Sequence, residues 1–461
     1  MMRTVVYCQG VKIQSQKNKN KKQRLVLVKP LTELHLQYNS EVQKSHMLSY
    51  RQFVRYCPFY VTQPKASDRN TCSCLDHENV KLLSEKLQQK GLETARISPL
   101  FTSIVCSTDN RACMYRVCAK CCYTEVKVRT PEVEETVTWH QWIRKPVSEE
   151  QKTYINFVKE EKNGTYSELL DLFNKKLDSL AKHHYNWLHQ ASVCRALKEK
   201  LREDEVVLHV DFSENFSCKL NREVQSFHFG GSQKPQSTPA WLTQQLAHSH
   251  MPPYLHLFAM MRAVWAHLEP VLKDVNKNYS KPLTTLHVMS DGPVTQYRNK
   301  NNFFLLSSIL YLSGFKQVTW NFSEKSHGKG APDGVGGAVK RTADTSVQRG
   351  SDIQTPEDFY SLLAEKISDI RYFWVSEEDI RRFDDAVPEV VPAVKGTLAI
   401  HQVISTEPGK IMHREISCFC SRPHTCQCHN PTMVNLHTTA SAQTSAQDED
   451  DLNGKFYHSE I

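Results

Sequence analysis

Asp211 closes the run VVLHVDF (206–212), and Asp291 closes TTLHVMSD (284–291). Nearly continuous apolar runs of this length read as strands buried on both faces. NNFFLLSSILYLSG follows as an apolar helix, with Gly314 placed where a left-handed residue fits, and then comes QVTWNF (317–322). Strand, helix, strand argues for a parallel pair joined by a helical crossover. Ligands of such sheets bind at the carboxyl ends of the strands, where both acids fall. Asp333, in SHGKGAPDGVGGAVKR, stands near the start of a helix expected over 335–344, although its glycines weaken helical propensity. Three acids arriving this way can hold two Mg²⁺ (or Mn²⁺) ions, because these cations prefer hard oxygen ligands. Two such ions, about 3.5–4 Å apart, would activate a water or a 3′-hydroxyl and stabilise the leaving oxygen of a phosphodiester. Arg298, Lys329, Lys340 and Arg341 surround the acids in sequence and offer charge to a DNA backbone, while His327 offers a phosphate contact or a proton shuttle. Glu324, just after the third strand, is a rival third ligand. Gly328-Lys329-Gly330 lacks the P-loop spacing.

The cysteines form a second constellation. Of 15, eight lie between Cys57 and Cys122 and four between Cys418 and Cys428. In a reducing compartment such clusters read as metal ligands rather than disulfides. The first window offers Cys72, Cys74, His77, Cys106, Cys113, Cys118 and Cys121, enough for one structural Zn²⁺ or two. The second offers Cys418, Cys420, Cys426 and Cys428, two C-x-C pairs able to close around one Zn²⁺. Neither has the H-E-x-x-H pattern or the open position of a catalytic zinc.

The remaining sequence must position these residues. The chain has 461 residues, with 58 Lys and Arg against 50 Asp and Glu, a net charge of +8. That mild basic excess suits a polyanionic partner. With 39% hydrophobic and 23% charged residues it reads as globular. It lacks any apolar run of 18 or more residues and any N-terminal apolar signal region, so neither a membrane span nor secretion is expected. Residues 1–45 read as a basic disordered arm, whose run from Lys17 to Arg24 suits nuclear import or phosphate contact. Residues 46–130 read as a Cys/His-rich zinc module with a short helix over 79–89. Residues 131–205 read as a connector followed by a long helix. That helix opens on the capping box Thr165-Tyr166-Ser167-Glu168, and its His183, His184 and His189 read as packing residues. A core over 206–400, a Cys-rich module over 401–430 and a disordered tail over 431–461 complete the division. The expected class is α/β, a mixed sheet with flanking helices plus small zinc-binding modules at both ends.

HVDFSENFSCKLNREVQSFHFGG, LHVMSDGPVTQYRNKNNFFL, TWNFSEKSHGKGAPDGVGGAVKR and YFWVSEEDI resemble the transposon-derived proteins multiplied in fish and other animal genomes. Those proteins carry an RNase H-like DDE/DDD transposase core between Cys/His-rich segments. DRNTCSCLDHEN is similar to their upstream cysteine module and ISCFC…CQC to their downstream one. The resemblance covers roughly residues 46–430, and SHGKGAPDGVGGAVKR is its most specific stretch. It implies Asp211, Asp291 and Asp333 as the acidic triad, and DNA cleavage and strand transfer at transposon ends. DNA in the nucleus is the implied partner, and a homo-oligomer is left open. The abrupt start of the chain leaves room for an end-recognition domain upstream.

One stretch departs from that pattern. An RNase H-like sheet needs two antiparallel strands between its first and second acids, and SQKPQSTPAWLTQQLAHSHMPPYLHLFAMMR (232–262) carries prolines and no period-2 alternation. It reads as an out-of-frame insert or a mispredicted exon, so the second and third strands are expected to be damaged. A ligand misplaced by ~1 Å can cost about 10²-fold in rate, which points to a decayed enzyme. Two other readings compete: a non-catalytic, zinc-dependent DNA- or chromatin-binding protein, and a relic without selected function.

Overall fold

Residues 1–73 and 74–461 form separate units. The structure, a computed structural model, describes residues 5–14, 21–27, 29–63, 73–128, 135–149, 152–213, 216–225, 241–246, 254–257, 264–279, 281–328 and 330–437. In the first unit β1 (Val5–Gln14) pairs antiparallel with β2 (Lys21–Leu27). Helices α1 (Leu31–Glu41) and α2 (Tyr50–Tyr56) follow, and β3 (Val61–Thr62) returns parallel to β2. The disordered arm expected over 1–45 is thus corrected. The flanks of its basic run hold β-formers that pair, Val5 with Leu27 and Val6 with Val26. The module expected over 46–130 is also divided, because the unit boundary falls at Ser73.

The second unit opens on α3 (Leu75–Gln89), α4 (Ile97–Ile104) and the short α5 (Arg111–Met114). The stretch expected to be a connector is instead a long hairpin, β4 (Thr136–Glu149) paired in register with β5 (Lys152–Thr165). Helix α6 (Tyr166–Glu199) begins where its sequence says it should. Thr165 Oγ1 accepts from the Glu168 N–H, and the Glu168 carboxylate accepts from the Thr165 N–H. Leu169, Phe173, Leu177 and Leu180 bury one stripe of α6 among α3, α4, α5 and the hairpin. Leu197, near its other end, packs on the main sheet beside Val207 and Met289. One helix therefore belongs to both the Cys-rich region and the sheet.

The sheet continues with β6 (Glu205–Ser213), β7 (Trp241–Leu246) and β8 (Tyr254–Leu257), then α7 (Val264–Asn278), β9 (Thr285–Ser290), α8 (Lys300–Leu312) and β10 (Gln317–Phe322). After these come α9 (Ala331–Gln348), α10 (Pro356–Lys366), β11 (Arg371–Trp374), α11 (Glu377–Asp385), β12 (Gln402–Glu407), β13 (Lys410–Arg414) and β14 (Thr432–Asn435). The strand order is β11-β8-β7-β6-β9-β10-β12-β13-β14. β9 lies parallel to both β6 and β10, while β7 is antiparallel to β6 and to β8. The fold is a mixed α/β sheet with flanking helices.

Even-numbered residues of β6 (Val206, Leu208, Val210) face the main core with α7, α8 and α11, and Val207 meets α6 on the other face. That two-sided burial explains the continuous apolar run. α8 is apolar nearly all round because it is buried nearly all round; Asn299 caps its start, and Gly314 follows it at φ +90°.

Residues 232–262 require a correction, since the expected damage to the second and third strands is not what the described residues show. β7 and β8 lie inside that stretch and pair in continuous register, Asp211 with Thr243 and Trp241 with Leu257. Neighbouring backbones on both sides of β7 supply the ladder that its sequence pattern does not advertise. The expected boundaries at the far end shift as well. β12 and β13, inside the module expected over 401–430, belong to the main sheet, and β14 takes Thr432–Asn435 out of the expected tail. Residues 438–461 of that tail lie outside the described residues.

Candidate functional site

β6 and β9 run in parallel register, Glu205 with Thr285 through His209 with Met289. Continued by two residues, that register sets Asp211 level with Asp291. Period-2 alternation then puts both carboxylates on the face that carries Val207, His209, His287 and Met289. α9 packs over that face, against β6 and β7, and brings Asp333 in from its first turn. Asp333 is exposed, and its Oδ2 accepts from the Gly330 N–H at 2.6 Å, fixing the helix start.

Asp211 and Asp291 both feel a neighbouring acid. Burial, then the charges of Asp291 and Asp333, push the Asp211 carboxyl up to about 8. Burial and the Asp333 charge push Asp291 up to about 6, against the opposing pull of Arg298. Asp291 Oδ1 is buried with no hydrogen-bond partner among the described residues. Behind the acids Tyr297 is fully buried, its hydroxyl held protonated by burial and by the charges of Asp291 and Asp211.

One residue expected at a DNA surface is buried instead. Arg298 is a correction: it is 6% exposed, donates to the carbonyls of Leu398 (2.9 Å) and Ser323 (3.0 Å), and stacks over Phe322. It braces the loops beside Asp291. Gly292 is required there, because a Cβ would sit 2.0 Å from Arg298 Nε. Lys340 is half-buried and Arg341 exposed on α9, while Lys329 lies outside the described residues. Glu324, the rival metal ligand, is engaged otherwise. It lies 3.1 Å from His183 Nδ1 and 3.1 Å from His401 Nε2, and these partners outweigh burial to hold its carboxyl well below the usual range.

Ligand atoms of Cys106, Cys113, Cys118 and Cys121 converge within 4.8 Å of one another, and so do those of Cys418, Cys420, Cys426 and Cys428. Both sets can hold a structural metal ion such as zinc. Arg116 braces the first, donating to the carbonyls of Ile104 (2.7 Å) and Cys121 (2.8 Å). Its Cys118 thiol is brought down to about 7, chiefly by the Lys120 backbone N–H. In the second, burial raises the Cys426 thiol, but hydrogen bonds, led by that from Arg414 at 3.0 Å and that from the Cys428 backbone, together outweigh it and bring it down to about 6. Each set thus holds one thiol that favours the thiolate, while Cys106, Cys113, Cys418 and Cys428 are raised and would release their protons to a bound metal.

Cys74 and His77 do not join the first set, and Cys72 lies outside the described residues. They meet His183 of α6 and His327 of the loop after β10, again within 4.8 Å. His183, read from sequence as packing, is buried and partnered by Glu324, and His327, read as a phosphate contact or proton shuttle, lies 3.2 Å from it. Spacing arguments reach only ligands close in sequence, and these four come from three separate segments.

On the face between α6 and the strand ends lies a cavity of about 380 Å³, lined by Arg195, Lys198, His209, Glu324, His327 and Gly328 among others. None of the helices among the described residues is long and apolar enough to cross a membrane. Residues 190–417, just under half of the chain and including all three acids, match a family described as a domain of unknown function (DUF8701). Comparison with curated proteins gives no match, and comparison with solved structures gives none either.

Proposed function

We propose that this chain is a transposase-type enzyme with an RNase H-like core, in which Asp211, Asp291 and Asp333 hold two Mg²⁺ or Mn²⁺ ions to cleave and join DNA strands. The observation that carries this is the parallel register bringing Asp211 level with Asp291, close enough for the Asp291 charge to help raise the Asp211 carboxyl. The two antiparallel strands that the resemblance requires between the first and second acids correspond to β7 and β8. A buried Asp291 oxygen with no hydrogen-bond partner among the described residues offers a hard donor to a divalent cation, with Asp211 level with it on the neighbouring strand and the Asp333 charge near enough to raise both their pKa values. Two ions bound there would lower the pKa of an attacking hydroxyl and neutralise the leaving oxygen.

The chain's own groups supply position and charge. β6 and β9 hold two carboxylates on one rigid face, and Arg298 fixes the loop that follows Asp291. The exposed Arg341 on α9 offers a phosphate contact, and the net charge of +8 favours a polyanion. The Cys-rich sets stiffen the surrounding scaffold with zinc, and the proposed location is the nucleus.

The test is cleavage and joining of duplex DNA by the full chain with Mg²⁺ or Mn²⁺. Metal-dependent nicking is expected, with Asp291→Ala reducing it by ~10²-fold or more. Cleavage that survives Asp291→Ala or needs no divalent ion refutes the assignment. Salt-sensitive DNA binding without any cleavage would favour the non-catalytic zinc-dependent reading instead.

A further inference from the structure

The geometry points to a third zinc site: Cys74, His77, His183 and His327 form a closed Zn²⁺ centre that ties the Cys-rich region and α6 to the loop beside Asp291.

The ligand set is the first reason. One thiolate and three imidazoles suit zinc, and four protein ligands leave no open position, the mark of a structural site. A tetrahedron with the usual Zn–N and Zn–S lengths has edges of about 3.3–3.6 Å. His183 Nε2 lies 3.3 Å from Cys74 Sγ and 3.2 Å from His327 Nε2, close to such edges. His77 Nδ1 is buried with no hydrogen-bond partner among the described residues, while its Nε2 lies 3.1 Å from His184 Nδ1. The ring therefore has one nitrogen engaged and the other free to bind an ion.

The surroundings are the second reason. Metal-bound histidines characteristically engage a carboxylate through their other ring nitrogen, which fixes ring orientation. Glu324 does this for His183, 3.1 Å from its Nδ1, and is itself 3.1 Å from His401. Trp187 stacks on His327 at 4.3 Å with planes 20° apart, fixing that ring too. A cluster of three imidazoles without an ion would have little use for such preparation.

The position suggests what the ion does. Cys74 caps the start of α3, His183 sits midway along α6, and His327 precedes Gly328. A Cβ at Gly328 would lie 2.8 Å from Asp291 Cβ, so the loop holding His327 presses directly against the acid-bearing strand end. An ion on His327 fixes that loop at one distance from Asp291. This centre stands whether or not the acids cleave DNA, because it is read without nucleic acid.

Zinc per chain, measured by mass spectrometry on the full chain after dialysis against metal-free buffer, is the test. His183→Asn and Cys74→Ser are each expected to lower the content by one zinc per chain. Because either variant may misfold, anomalous scattering at the zinc edge from wild-type crystals provides a second reading. A peak is expected about 2.0–2.3 Å from Cys74 Sγ and the three ring nitrogens. Variants that keep the wild-type zinc content, or wild-type crystals with no peak among these residues, would leave a hydrogen-bonded thiolate–imidazole cluster and overturn the proposal.

Discussion

Asp211 sets the terms at the scale of single residues. Its carboxyl is raised to about 8 and that of Asp291 to about 6, from an ordinary 3.8, chiefly by burial and then by neighbouring charge. Below the ordinary value both folded and unfolded chains bind these protons, and the acids leave stability unchanged. As pH rises the unfolded chain releases them first, so the folded state loses stability up to about pH 8. Without divalent cations these two acids are therefore expected to lower the melting temperature from pH 5 to pH 8, against the half-buried His184, His209 and His429, whose lowered values add stability up to about pH 6.5. Mg²⁺ should recover more of it at pH 8 than at pH 5, since ion and proton compete for the same oxygens. Asp211→Asn should flatten both trends. Thermal melts across pH decide this, and an unchanged slope in the variant would show that the Asp211 carboxyl is not raised in the fold.

At the scale of elements, α6 is the part on which most depends. Phe173 is fully buried in the Cys-rich core, whereas Leu188 on the same helix is 49% exposed. Phe173→Ala should cost about 3–5 kcal/mol, while Leu188→Ala should fall within about 0.5 kcal/mol of wild type. Chemical denaturation of the two variants tests whether the helix is anchored as described, and equal losses would contradict it. Elements with two-sided burial were legible in the sequence. β6, β9 and β10 read as apolar runs because both their faces are covered, and α6 announced its start through its capping box. β7 and β8 were not legible, because their pairing comes from flanking backbones rather than from alternating side chains. The β4–β5 hairpin escaped for a related reason: its partners are consecutive, but its outer residues face solvent and carry no apolar period. The gathering of Cys74, His77, His183 and His327 was equally hidden, since more than 100 residues separate the first pair from His183 and a similar gap precedes His327.

At the scale of the second unit, residues 74–461, the three constellations share one scaffold. Arg111, beside the first cysteine set, pairs with Glu415, which precedes the second, and Lys182 of α6 reaches the same carboxylate at 2.6 Å. Gln190 donates to the Phe322 carbonyl at 2.7 Å and to Ser417 Oγ at 3.0 Å, linking α6 to the end of β10 and to the approach to Cys418. The two cysteine sets and the main sheet thus meet along a single helix. The acids matter only if they bind ions. Titrating Mn²⁺ into the full, zinc-loaded chain at pH 8, with loss of the free-ion paramagnetic resonance signal as readout, tests that most directly. Wild type is expected to take up Mn²⁺, and Asp211→Asn and Asp291→Asn to lose that uptake. A wild-type chain that leaves the Mn²⁺ signal untouched, or variants that bind it equally well, would contradict the account.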